Sequence, residues 1–237
     1  MDAPTLIAES TPYLAWLADW EAGLPSKSLP DVVVDPARTA VISVDVINGF
    51  CHAGPLASDR VKAIIAPITR LLTAAYALGV RDFVLTQDTH DPAAVEFGSY
   101  PPHCVRGTAE SEAVPEFKAL PFYGLMQRFA KNSISSTIGT GFAGWLEAHP
   151  ALDTFIVVGD CTDLCTYQLA MSLRLRANAG QRRDRVILPV ECVDTYDTPL
   201  SIALELGIQP HPAALVHRVF LHNLASNGVE VIGRLSD

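Results

Sequence analysis

Continuous apolar runs alternate with helically spaced ones along this chain. TAVISVDV (Thr39–Val46) is unbroken, rich in β-branched residues and bounded by turn formers, the pattern of a strand buried on both faces. DFVLTQ (82–87), TFIVVGD (154–160) and RVILPV (185–190) read the same way, and VEVIGR near the C-terminus reads as a last strand. Between them the spacing predicts a helix over 59–78, with Asp59 as cap and Gly79 as stop, and another over 162–180 ended by Gly180. PLSIALELG (199–207) and VHRVFLHNLASNG follow as helices. Such alternation predicts one α/β domain over residues 36–237, a three-layer α/β/α arrangement around a mainly parallel sheet of about six strands. Ahead of it, residues 11–21 predict a short amphipathic helix with Leu14, Leu17 and Ala18 on one face and Ser10 or Thr11 as cap. This helix and the link LPSKSLPD make an N-terminal helical extension over 1–35.

Composition narrows the function classes. Of 237 residues 49% are hydrophobic, enough for one substantial core. The net charge is −9 and no basic run exceeds Arg182–Arg183, so a nucleic-acid footprint is not expected. No apolar run reaches the roughly 18–20 residues that span a bilayer, so no membrane partner is expected. The acidic start lacks the basic segment of a secretory leader. Five irregularly spaced cysteines form no disulfide framework, so a cytoplasmic protein with free thiols is expected.

In open parallel sheets ligands bind beyond the carboxyl ends of strands, and three polar clusters fall there. Asp45 ends the first predicted strand, as a site carboxylate or a helix cap. Asp88 and His90 follow the second, and His103 comes thirteen residues later in a loop stiffened by Pro101 and Pro102. One carboxylate and two imidazoles suit zinc, iron or manganese, and Glu96 could add an oxygen. Four ligand-type residues within sixteen favour a metal over polar loop residues. Cys165 lies near a predicted helix start, where the positive end of the dipole favours thiolate; a small buried hydrophobe is the other reading. Cys161 lacks redox or metal spacing, while Cys51, Cys104 and Cys192 read as structural. His52, His149, His211, His217 and His222 have no evident partner, and Lys131 by spacing alone reads as a surface charge.

Taken together these segments resemble the isochorismatase-like cysteine hydrolases, and among them the nicotinamidases, over about Thr39 to Val193. VDVINGF is similar to the segment that carries the family's catalytic Asp, here Asp45, with Phe50 as pocket aromatic. Asp88, His90 and YPPH ending in His103 match the metal motif, with Glu96 as a fourth ligand. GDCTDLC matches the nucleophile segment, with Cys165 as nucleophile, and the catalytic lysine maps to Lys131. The resemblance implies hydrolysis of nicotinamide to nicotinic acid and ammonia through a cysteine thioester, with a place in NAD salvage. It also implies one divalent metal ion, zinc before iron or manganese, an oxyanion hole from the backbone N–H groups of Cys161 and Cys165, and Tyr100 beside Phe50 in the substrate pocket. A cis peptide at Asp160–Cys161 and a homo-oligomer are further implications. The alternatives are a relative that acts on another small amide or imide, and a non-catalytic small-molecule-binding member. Ile47 and Gly49 replace the family's Gln and second Asp, and Asp160 stands where an apolar residue is usual. A carboxylate at 160 is expected to face solvent or pair with a cation.

Overall fold

The computed structural model describes residues 1–236. Eight strands are present among the described residues: β1 (Ser26–Ser28), β2 (Thr39–Val44), β3 (Asp82–Asp88), β4 (Gln127–Lys131), β5 (Thr154–Gly159), β6 (Arg185–Pro189), β7 (Glu230–Ile232) and β8 (Arg234–Ser236). Six of them form one parallel sheet in the order β4-β3-β2-β5-β6-β7. Every residue of β2 and β5 is buried, which is why their sequences show no polar alternation. One apolar layer packs Val41, Phe83 and Ile156 against the Ile65–Ala77 helix, through Ile68, Leu71 and Leu72. On the other face Ile42, Phe155 and Val157 meet Phe142, Leu169, Leu173 and Leu221 from three helices. Each large aliphatic side chain so buried contributes about 1.5–3 kcal/mol. The result is the expected three-layer α/β/α fold.

The chain runs outward from β2 to β3 and β4, then returns to β5 on the other side of β2 and continues to β6 and β7. This reversal makes the β2/β5 boundary the switch point, where a crevice opens beyond the carboxyl ends of the strands. Asp45 follows β2 on one side of it, and residues 160–165 follow β5 on the other. Gly159 permits the close approach. Its φ is +116°, and a Cβ there would lie 2.0 Å from the Val44 carbonyl oxygen.

Several element boundaries differ from the sequence reading, each for a local reason. The first helix runs Ala3–Ala22, with Asp2 as cap accepting from the Thr5 N–H, so it starts eight residues before the expected 11. Pro12 sits inside it, and the Thr11 hydroxyl donates to the Ile7 carbonyl one turn earlier. Leu17 alone in this helix is fully buried; Leu14 and Ala18 are exposed. The helix expected over 59–78 is two, Asp59–Ala63 and Ile65–Ala77, because Pro67 has no N–H to offer the Ala63 carbonyl. Its cap is Ser58, not Asp59. The edge strand β4 and the Phe142–Ala148 helix were not expected at all. In the N-terminal segment, β1 pairs in parallel with β8, and Leu29, Val32 and Val33 join the main core. Among the described residues, no helix is long and apolar enough to cross a membrane.

Gly159→Ala is expected to cost about 3 kcal/mol or more, since it adds both backbone strain and overpacking against Val44. Urea unfolding measures it, and a loss below about 1 kcal/mol would contradict the close approach.

Candidate active site

Parallel register aligns the ends of four adjacent strands, β4, β3, β2 and β5. Asp88 pairs with Lys131 across β3 and β4, and Val44 pairs with both Thr86 and Gly159. Side chains at or just past those ends therefore converge. Asp45 turns through a left-handed conformation (φ 53°), its N–H donating to the Thr86 carbonyl at 2.9 Å. Its carboxylate Oδ1 accepts from the Asp88 backbone N–H at 2.7 Å.

Lys131 is buried, contrary to its reading as a surface charge. As the last residue of an edge strand, it points inward while most of β4 is exposed. Its Nζ lies 2.7 Å from Asp45 Oδ2, 2.5 Å from Asp88 Oδ1 and 3.3 Å from both Cys165 Sγ and the Ser133 carbonyl. The nearest carboxylate oxygens of Asp45 and Asp88 and the Cys165 sulfur all lie within 4.8 Å of one another. Asp45, Lys131 and Cys165 are thus assembled as one cluster.

Burial is the largest electrostatic influence on every member. It pushes the Asp45 carboxyl up, the charge of Asp88 adds to this, Lys131 opposes, and the result is about 7. Asp88 is also pushed up by burial, but Lys131 and His90 hold it below the usual carboxylate range. Burial pulls the Lys131 ammonium down, and the two carboxylates more than reverse that, so it stays charged. The Cys165 thiol is pushed well up by burial, with Lys131 opposing. Cys165 does open the Cys165–Ala179 helix, as its sequence position suggested, but desolvation outweighs the helix terminus. The resting sulfur is therefore a thiol beside an ammonium and a carboxyl group able to take its proton.

Asp88 also faces the histidines. His90 Nε2 lies 3.5 Å from Asp88 Oδ1 and His103 Nε2 lies 3.9 Å from Asp88 Oδ2, with all three side chains buried. A parallel bridge between His90 and Val105, with hydrogen bonds His90 N–H to Cys104 and Arg106 N–H to His90, ties the two histidine loops together. His103 Nδ1 donates to the Pro101 carbonyl at 2.8 Å and His90 Nδ1 to Asn132 Oδ1 at 3.3 Å. Both bonds leave the Nε2 lone pairs free to face Asp88, and His90 Nε2 is buried without a hydrogen-bond partner among the described residues. A carboxylate and two oriented imidazole lone pairs fit a divalent cation. Glu96 stands apart from this compact trio, half-buried in the Val95–Gly98 turn, and shares a pocket with Asp88 and His103. Burial and the charge of Asp88 push its carboxyl up.

That pocket is walled by Phe50, Tyr100, Tyr196, Ile134 and Leu164, with Cys161 and Cys165 on one side. Phe50 and Tyr100 were expected from sequence; Tyr196, Ile134, Leu164 and the histidine-orienting Asn132 were not. Asn132 had one available signal, its position directly after Lys131.

A family model described as an isochorismatase domain matches residues 39–206. The chain belongs to the isochorismatase family. Nicotinamidase 1 of Arabidopsis thaliana is 28% identical over 223 residues, covering 87% of this chain and 90% of that protein. A nicotinamidase of Acinetobacter baylyi is 32% identical over 215 residues, covering 78% and 94% respectively. The crystal structure of the pyrazinamidase of Pyrococcus horikoshii in complex with zinc shares the fold, with a TM-score of 0.63 and 20% identity over 83% of this chain and 99% of that one.

In this isochorismatase-family chain, Ile47, Gly49 and Asp160, the three departures from the family pattern, are all buried. Gly49 has no room for a side chain, since a Cβ would lie 2.5 Å from Cys104 Sγ. Ile47 is buried and bridged to Ala113. The Asp160–Cys161 peptide is cis. Asp160 does not face solvent and pairs with no cation among the described residues, which corrects the sequence expectation. It is fully buried, the Cys161 thiol donates to its Oδ2 at 3.6 Å, and its Oδ1 has no partner among the described residues. Burial, with the charge of Asp45 added, pushes its carboxyl well up, so it sits there as the neutral acid.

Lys131→Met removes the cation that opposes burial at the Cys165 thiol. Alkylation of Cys165 by iodoacetamide, followed by peptide mass mapping, is expected to slow about tenfold or more. An unchanged rate in a folded variant would contradict this role.

Proposed function

We propose that this protein is a nicotinamidase: an amidohydrolase that converts nicotinamide to nicotinic acid and ammonia through a thioester on Cys165. The observation that carries the reading is the Lys131 ammonium touching Asp45, Asp88 and Cys165 at once, at the mouth of a pocket shared with His103. The nicotinamidases among its relatives support the choice of substrate.

Asp45 takes the Cys165 proton as the thiolate attacks the carboxamide carbon. A carboxyl group held near neutrality can both accept and return a proton, which suits this exchange. Lys131 stays protonated and keeps the negative charge of the pair bound as it moves from sulfur to carboxylate. Backbone N–H groups of Cys161 and Cys165 receive the developing oxyanion. Asp45 then returns the proton to the departing nitrogen, ammonia leaves, and a thioester remains. Water, deprotonated by Asp45, attacks the thioester carbon; nicotinic acid leaves and the thiol is restored.

Asp88, His90 and His103 would hold a divalent ion, zinc before iron or manganese, with Glu96 as a direct or water-mediated fourth ligand. Such an ion would supply a Lewis-acid contact for the pyridine nitrogen and so help orient the ring. Phe50 and Tyr100 flank the ring, with Phe50 packed 5.7 Å from the His103 ring centroid. The zinc-bound pyrazinamidase relative supports the choice of metal.

Cys165→Ala is expected to reduce ammonia release from nicotinamide to about 1% or less, with circular dichroism and bound metal unchanged. Retention of more than a few per cent of activity would exclude covalent catalysis at this sulfur. For the metal, His90→Ala is expected to lose the ion by elemental analysis and to raise KM by about tenfold or more. A wild-type protein fully active after chelation, and metal-free by the same analysis, would refute that part.

A further inference from the structure

Beyond the pocket lies an outer vestibule of about 760 Å³, and Leu56, Tyr100 and Tyr196 line both spaces. Tyr196 therefore stands at the threshold between solvent and the Cys165 sulfur. It does not belong to the metal or catalytic clusters, and it comes from the segment that follows β6. What holds its ring in place is His211, fifteen residues later and read from sequence as having no partner.

Two contacts join them, and bonds to Asp163 and Thr198 anchor His211 itself. The two rings stack with centroids 4.0 Å apart and planes 13° from parallel. His211 Nδ1 donates to the Tyr196 carbonyl at 2.8 Å. His211 Nε2 bonds Asp163 Oδ2 at 2.8 Å. Backbone hydrogen bonds of 2.9 Å run both ways between His211 and Thr198. A carbonyl and a carboxylate both accept, so with both bonds made the ring carries both protons and lies as a cation on the tyrosine face. Burial pulls His211 down, and the Asp163 hydrogen bond and charge reverse this; Asp163 is correspondingly held low by His211 against its own burial. Asp163 is nine-tenths buried, two residues before Cys165 in the nucleophile loop. The tie thus runs from the nucleophile loop through His211 to the threshold ring.

We propose that His211 is a positioning residue that locks Tyr196 against the nucleophile loop, and that this lock sets the size of the group that can reach Cys165. The inference rests on the nicotinamidase reading only for its substrate, and the decisive measurement needs no turnover.

The test compares Cys165 alkylation by a small reagent, iodoacetamide, and a bulky one, N-phenylmaleimide, in the full-length protein with peptide mass mapping. His211→Ala is expected to raise the bulky-to-small rate ratio about fivefold or more, and Tyr196→Ala to do the same. Because both act through one ring, the double variant is expected to add less than about twofold to either single one. A ratio within twofold of wild type in folded His211→Ala overturns the proposal, and so does full additivity in the double variant. Should His211→Ala fail to fold, His211→Phe keeps a ring beneath Tyr196 and loses both hydrogen bonds. The ratio is then expected to rise, and an unchanged one overturns the proposal. With nicotinamide, His211→Ala is expected to raise KM about fivefold while kcat stays within about twofold, whereas a merely structural loss lowers kcat as well. If wild type releases no ammonia from nicotinamide, the nicotinamidase reading fails while the alkylation ratio still decides this one.

Discussion

A single buried ammonium organises this molecule. Lys131 is fully enclosed, and it is the cation for Asp45 and Asp88 while also touching the Cys165 sulfur. Removing one partner from such a buried arrangement typically costs 3–5 kcal/mol, because the remaining charges stay desolvated. The cost of burying these groups is met only if β2, β3 and β4 hold their register to within a residue, since a one-residue slip would turn Lys131 to the outer face. The extensive apolar packing on both faces of the sheet supplies that restraint. The apolar core and the buried charge cluster therefore depend on the same alignment.

Asp88 links two sets of groups with different needs. One carboxylate oxygen meets Lys131, and the carboxylate also faces both histidines. The imidazoles are oriented from behind by the Pro101 carbonyl and the Asn132 amide oxygen, so their free lone pairs point to the same place. Asp45 meanwhile is raised by burial and by its neighbour Asp88. The position of the second carboxylate thus helps to hold the first near neutrality, the range in which a carboxyl group can exchange a proton.

Asp160 shows how far a buried polar group can be tolerated beside such a site. It lies in the loop that leads to Cys165, with a thiol for one oxygen and no partner among the described residues for the other. Holding it neutral avoids the larger cost of a buried charge, although an unsatisfied oxygen remains costly. The structure gives no physical reason for preferring it over the apolar residue usual in the family.

The sequence by itself determined the buried strands, because continuous β-branched runs have few alternative conformations that hide them from water. It also placed Asp45, Asp88, His90 and Cys165 near strand ends, where parallel sheets open to ligands, and the family motifs extended this to His103 and Lys131. Local pattern failed where burial depends on distant partners. QRFAK alternates too weakly to mark an edge strand, and only pairing with β3 turns Lys131 inward. His211 and His217 had no visible partners because those partners, Asp163 and Thr162, lie 48 and 55 residues away. The Cys165 thiol is the clearest case. Its helix position predicted a lowered pKa, yet desolvation by the assembled core pushes it up, because the energy of a charge is set by everything around it in space.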